Sequence, residues 1–446
     1  MIIGRASLLP FKKFDININF LSLNLSLGFF VIGSISFAYN FFSAIHDLIF
    51  IFLLSLLLMY SIFRVFVLEK NFKVISKHLL IICILCFFFF FYSNQLPPGY
   101  DAGLYHIPHQ VFIQNEKIIF GLVNMHSRFG LSTFYNYIAA IFWKDNNFTL
   151  ISFLQSSYLI IFFIFLYEII KKNISIFNIV VLTTALTMPI WFRYVTPGYA
   201  IVDLSYGIYF YFSVILSLLI FANKENLSNT YIFYFILSCS LAFMHKSNGA
   251  QLLPLFLVTL SFAIRRNYIS CANCFKLLTI PSFFVLLWIV RGTIISGCLV
   301  YPVEITCLNF SWMPVSEANE TYVVIKNWAL RGYNLLSIKL YYQFFIPLLI
   351  LIFFLILIIN RIKTLKLLFN HYFFWIVSLF CLIYIYSQAS PLSGFSALVT
   401  DQKVNEASFI LKKEIIIIFL SNFFAIIFST SISQFFNYYN INFKES

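Results

Sequence analysis

The sequence predicts an all-α fold, a polytopic helical membrane protein, and three observations carry that reading. Of the 446 residues, 61% are hydrophobic. Only 10% are charged, where a soluble domain carries about 25%. The mean hydropathy of +0.91 is gathered into continuous apolar runs of roughly 20 residues, the length at which a helix crosses a bilayer. A transmembrane barrel would instead alternate apolar and polar residues in strands of about ten.

Taken in order, residues 1–20 hold Arg5, Lys12 and Lys13. They read as a cytoplasmic lead-in and lack the apolar core of a cleavable signal peptide. Three spans follow at 20–41, 45–68 and 77–93. The segment 131–143 is apolar but too short to cross, so it is expected to be re-entrant or interfacial. Further spans fall at 148–170, 175–192, 200–222, 229–246, 250–264, 277–291, 342–360, 369–387 and 415–436, giving about twelve transmembrane helices in a single domain over 1–446. Arg64, Lys70, Lys73, Lys171, Lys172, Arg265, Arg266, Arg361 and Lys363 hug alternate span ends, which places both termini in the cytoplasm by the positive-inside rule. The outer face then receives three long loops, 94–147, 292–341 and 388–414. No internal repeat is visible.

The net charge of +13 is scattered between spans and is spent on topology, so no nucleic-acid partner is expected. Cys83, Cys86, Cys239 and Cys381 lie in apolar runs and read as small core residues. Cys271 and Cys274 form a lone CxxC, weak as a zinc signal. No phosphate-binding glycine loop and no HExxH or EF-hand pattern occurs.

Chemistry concentrates at residues 97–130, PPGYDAGLYHIPHQVFIQNEKIIFGLVNMHSRFG. Pro-Pro-Gly-Tyr ends the third span in a turn. An amphipathic helix along the outer surface is expected from Ala102, with Leu104, Ile107, Val111 and Phe112 on its apolar side. Asp101, Tyr105 and His109 are four apart and share a face, with His106 beside them. Asp101 reads equally well as a helix cap or as a catalytic carboxylate. Arg128, Lys246 and Arg291 stand at outer ends of apolar segments, where they can hold a phosphate or snorkel to lipid headgroups. His106 and His109 suit orienting roles and equally suit hydrogen-bonded interfacial positions.

The passage resembles the first outer loop of GT-C-type glycosyltransferases, multi-spanning enzymes that use polyprenyl-linked sugars. GYDAGLYHIPHQVFI followed by GLVNMHSRFG is similar to bacterial multi-spanning proteins of surface-polysaccharide biosynthesis. WIVRGTIISGCLVYPV at 288–303 and the stretch from Trp328 to Arg331 look like a later outer loop of the same group. SQASPLSGF at 387–395 departs from the pattern, because an arginine expected near its phenylalanine is missing.

The resemblance implies an inner-membrane enzyme, a glycosyltransferase or a polymerase of O-antigen or capsular polysaccharide. It would draw a polyprenyl-diphosphate-linked donor at the periplasmic face. Such transfer needs a base for the acceptor hydroxyl and cations for the departing phosphate. Asp101 takes the first role, with His106 as its catalytic partner. Tyr105, His109, His126, Arg128, Lys246, Arg291 and Arg331 are the expected substrate-binding residues. No cofactor is expected and no metal ligand set is assigned, with a divalent metal left open. Partners are the lipid-linked glycan, membrane lipid and other polysaccharide-assembly proteins. The alternative is a flippase or exporter of lipid-linked oligosaccharide, which would place ionisable residues deep in several spans; Glu168 is the main one. In a periplasmic loop, Cys298 and Cys307 are expected to pair as a disulfide.

Overall fold

The computed structural model describes residues 1–68, 72–93, 101–131, 133–143, 147–170, 202–222, 229–308, 310, 312 and 315–330. The predicted spans at 175–192, 342–360, 369–387 and 415–436, the loop 388–414 and Arg331 lie outside them. The described residues form an all-helical membrane protein. Its main helices are α1 (Ile2–Leu8), α2 (Leu21–Asn40), α3 (Leu48–Phe63), α4 (Phe72–Ser93), α5 (Ile107–Asn115), α6 (Phe134–Ala139), α7 (Thr149–Ile170), α8 (Asp203–Ala222), α9 (Asn229–His245), α10 (Leu253–Arg265), α11 (Cys271–Ser296) and α12 (Val315–Leu330). Among the described residues, six helical segments are long and apolar enough to span: Leu21–Asn40, Leu48–Val67, Leu150–Ile169, Asp203–Phe221, Ser247–Arg265 and Cys271–Ser296.

In hydrocarbon every backbone N–H and C=O must be satisfied within the segment, so these apolar runs become helices. Polar residues mark their ends. Asp47 caps α3 by accepting from Ile49 N at 3.2 Å, and Ser270 caps α11 by accepting from Asn273 N at 3.2 Å. Gly297, at φ 72°, closes α11 in the left-handed region that glycine enters without penalty. The segment Leu48–Val67 has a hydropathy of 2.4 but is only 17% buried, so it turns its apolar surface outward, as a lipid-facing helix does.

Glu168 resolves simply. Its carboxylate accepts from Leu21 N, from Ser22 N at 3.2 Å and from Ser22 Oγ at 2.6 Å, capping the start of α2, where the helix dipole favours an anion. This end also holds Arg5, which is fully buried and donates to Ile18 O and Asn19 Oδ1. The opposite end carries the 101–143 segment, the start of α8 and the ends of α9 and α11.

Two readings of the sequence need correction. Of the two expectations for the segment 131–143, re-entrant or interfacial, the interfacial one fails. Its helix α6 is six residues long, all buried, too short to cross at 1.5 Å per residue, and packs into the bundle against α2. The span expected at 277–291 is a 26-residue helix, Cys271–Ser296; it absorbs Lys276 and Arg291, the charges that suggested its limits. Along the helix after Asp101, Leu104 and Val111 are exposed, whereas His106, His109, Gln110 and Gln114 are buried. Polar side chains face inward here because the bundle supplies hydrogen-bond partners.

Candidate functional site

The site is built on the chain from Asp101 to Asn115. Asp101 precedes a wide π-helical turn, Ala102–His106, that runs into α5. Its side chain makes no capping bond. The carboxylate turns instead to Arg128, 3.6 Å away, with both side chains part open to solvent. Arg128 also lies over the Tyr105 ring, 5.4 Å from its centroid. His126 shapes this turn, since its Nδ1 accepts from Arg128 N at 3.2 Å.

A second ion pair stands at the same end. Lys246, just after α9, bonds Asp203 at the start of α8 and lies 5.9 Å from the Tyr206 ring centroid. The two pairs meet electrostatically at Tyr105 and His106. Burial, then the carboxylates of Asp101 and Asp203, push the Tyr105 phenol up. Burial lowers His106 to about 3, against the smaller opposing pull of Asp203. Tyr105 and His106 therefore form a buried floor, neutral at physiological pH, between two half-exposed ion pairs.

Beneath this floor lies a buried polar network. Arg291 is 1% exposed. Its Nε donates to Tyr137 Oη at 2.7 Å, and its terminal Nη2 is 3.1 Å from His109 Nε2. Its guanidinium stacks 4.7 Å from the Trp288 ring centroid, a partner suited to a planar cation. His109 Nδ1 is 3.1 Å from the Asn136 side-chain amide, and Asn136 reaches Gln110 at 3.4 Å. Gln110 Oε1 accepts from the Trp143 indole at 2.7 Å. Burial, with the Arg291 charge, holds His109 well below the usual imidazole range.

Asp101, Tyr105, His106, Arg128 and Lys246 thus converge at one end of the bundle. His126 supports the Arg128 turn. Arg291 and His109, expected to touch substrate, are instead committed to side chains under the site. The sequence reading missed Asp203, Asn136, Tyr137 and Gln110. Asp203 carried a signal, a carboxylate opening an apolar span. The others sit in apolar or mixed stretches that give none. Among the described residues no group of three or more His, Cys, Asp or Glu side chains is placed to hold a metal ion.

The segment after α11 braces the Arg128 turn. Cys298 and Cys307 form the expected disulfide. The loop it closes carries Tyr301, whose ring covers Gly130: a Cβ there would sit 2.6 Å from Tyr301 Cδ1. Tyr301 Oη bonds Thr321 Oγ1 at 2.9 Å.

Over residues 2–393 the chain matches a family described as a domain of unknown function, DUF8201. The match covers most of the chain, which belongs to this family. No curated protein and no solved structure matches the chain.

The buried histidines give the fold a pH dependence with a definite sign. Above pH 6.5 His106 is neutral whether folded or unfolded. Below it, the unfolded chain takes up a proton that the folded chain accepts only near pH 3. Stability is therefore lost as pH falls through that window, by about 1.4 kcal/mol per pH unit for this group. Thermal unfolding of the purified protein should shift down between pH 7 and 5. His106→Gln should flatten that slope, and an unchanged slope would remove His106 from the account.

Proposed function

We propose that this protein is an inner-membrane glycosyltransferase or polymerase of O-antigen or capsular polysaccharide, GT-C-like, with about twelve spans and both termini in the cytoplasm. It draws a polyprenyl-diphosphate-linked sugar at the periplasmic face. The observation that carries this reading is the Asp101–Arg128 pair beside Asp203–Lys246, half open at one end of an apolar bundle. Carboxylate and cation side by side are what transfer from a lipid phosphate requires: a base for the acceptor hydroxyl and a cation for the departing phosphate oxygens.

In this mechanism Asp101 accepts the acceptor's proton as its oxygen attacks the anomeric carbon. The bond to the phosphate oxygen breaks, and the leaving diphosphate is held by Arg128 as a fork and by Lys246 as a point charge. Tyr105 offers its ring to Arg128 and its face to a sugar. The disulfide supports the periplasmic placement, since such bonds persist in oxidising compartments. The flippase alternative is less well served: Glu168, the carboxylate it would use within the membrane, is engaged in capping α2.

The test is the lipid-linked glycan of cells lacking the protein. Complete single repeat units on the carrier indicate a polymerase, and a repeat short of one sugar indicates a transferase. Complete lipid-linked glycan confined to the cytoplasmic leaflet would overturn the reading in favour of the flippase.

A further inference from the structure

Two donor groups converge on the His109 imidazole under the site, and the chemistry allows one good arrangement of its proton. His109 faces two donors: the Arg291 guanidinium at Nε2 and the Asn136 amide nitrogen at Nδ1. A neutral imidazole has one acceptor nitrogen, and the imidazolium has none. Arg291 can only donate, and its charge-assisted bond is the stronger of the two, so it claims Nε2. The proton of His109 then sits on Nδ1. Nδ1–H needs an acceptor, so Asn136 turns its amide oxygen toward it. Two contacts change: the Gln110 donation to Asn136 at 3.4 Å, the longest in the network, is given up, and the bond between Asn136 and His106 reverses, Asn136 becoming its donor. Gln110 itself cannot turn, because its oxygen is held by the Trp143 indole at 2.7 Å.

The turned amide nitrogen now faces away from His109. His106 is the second imidazole within reach of that amide. It is 2% exposed, and its Nδ1 is buried without a hydrogen-bond partner. An orphaned buried nitrogen has a cost unless something arrives to meet it. If Asn136 donates to the nitrogen of His106 nearest it, that imidazole carries its own proton on Nδ1.

We propose that Arg291 is a positioning residue: by donating to His109 Nε2 it sets the proton register through His109 and Asn136, and so presents His106 Nδ1–H as a donor for a substrate oxygen. The naming of that oxygen as one of the sugar or the leaving phosphate rests on the transferase reading; the proton register does not. Arg291 acts at a distance, through two side chains, without touching the substrate.

Nitrogen NMR of the protein labelled with ¹⁵N-histidine, in lipid bilayers at pH 7, reads the register directly. His109→Gln and His106→Gln identify the two sets of signals by their loss. In the wild type, His109 should show a protonated Nδ1 and a bare Nε2, and His106 should also carry its proton on Nδ1. Arg291→Met, which removes the donor, should move the His109 proton to Nε2, whereas Arg291→Lys should retain the wild-type pattern. His109 protonated on Nε2 in the wild type would overturn the proposal without any variant having to fold. The glycan measurement is independent of it: a failed transferase reading with the expected spectrum leaves the register standing, and the reverse outcome removes only the register.

Discussion

Gly33→Ala should destabilise the protein by about 1–3 kcal/mol, while Gly28→Ala on the same helix should be neutral or mildly stabilising. Both glycines sit within α2, so the difference lies in what each faces. A Cβ at Gly33 would meet Phe134 Cζ at 2.4 Å, and one at Gly28 meets nothing closer than 3.6 Å. Phe134 has no room to yield. It is fully buried and packs against the rings of Phe30, Phe37, Trp288 and His245. The added methyl would therefore displace α6, which carries Asn136 and Tyr137 under the candidate site. Thermal unfolding of the two purified variants checks this. Equal midpoints for Gly33→Ala and Gly28→Ala would mean that α6 is not packed against α2 as described.

Asp101→Asn should reduce glycan transfer by about 100-fold to 10,000-fold, the usual contribution of a positioned general base, at near-normal protein abundance. The substitution keeps size and removes the charge. A helix cap would survive it, because asparagine caps as well as aspartate does. Asp101 makes no capping bond to be lost, and its ion pair with Arg128 is partly exposed, where such pairs contribute little to stability. Glycan chain length and immunoblotting in the same cells separate the two effects. Full-length polymer with Asp101→Asn at ordinary abundance would leave Asp101 without a catalytic role. Arg128→Lys serves as the companion: charge stays, the bidentate fork is lost, and donor use should weaken more than abundance.

The long apolar runs made the spanning helices legible, since hydrophobic length is a strong and local signal. Their limits were less so. Lys276 and Arg291 were read as ends of a span, whereas α11 runs past both, the second being buried on Tyr137, His109 and Trp288. Periodicity grouped Tyr105, His106 and His109, and all three are buried, but it left open which side of the helix faces the bundle. Leu104 and Val111 look like core residues on a soluble helix; beside a bilayer the outward side is apolar too, and the inward side takes the polar residues that the bundle can satisfy. The site was half visible. Asp101 and Arg128 share one polar passage, and Lys246 stood out at the end of an apolar run. Their partners Asp203, Asn136 and Tyr137 come from elsewhere in the chain, and only tertiary packing brings them in.

The most direct test of the transferase reading is a reaction in proteoliposomes with purified protein, a polyprenyl-diphosphate-linked glycan and a glycan acceptor. Release of polyprenyl diphosphate and growth of the acceptor are followed by mass spectrometry. The account predicts both with the wild type and neither with Asp101→Asn. Translocation of the intact lipid-linked glycan across the bilayer, with no diphosphate released, would contradict it.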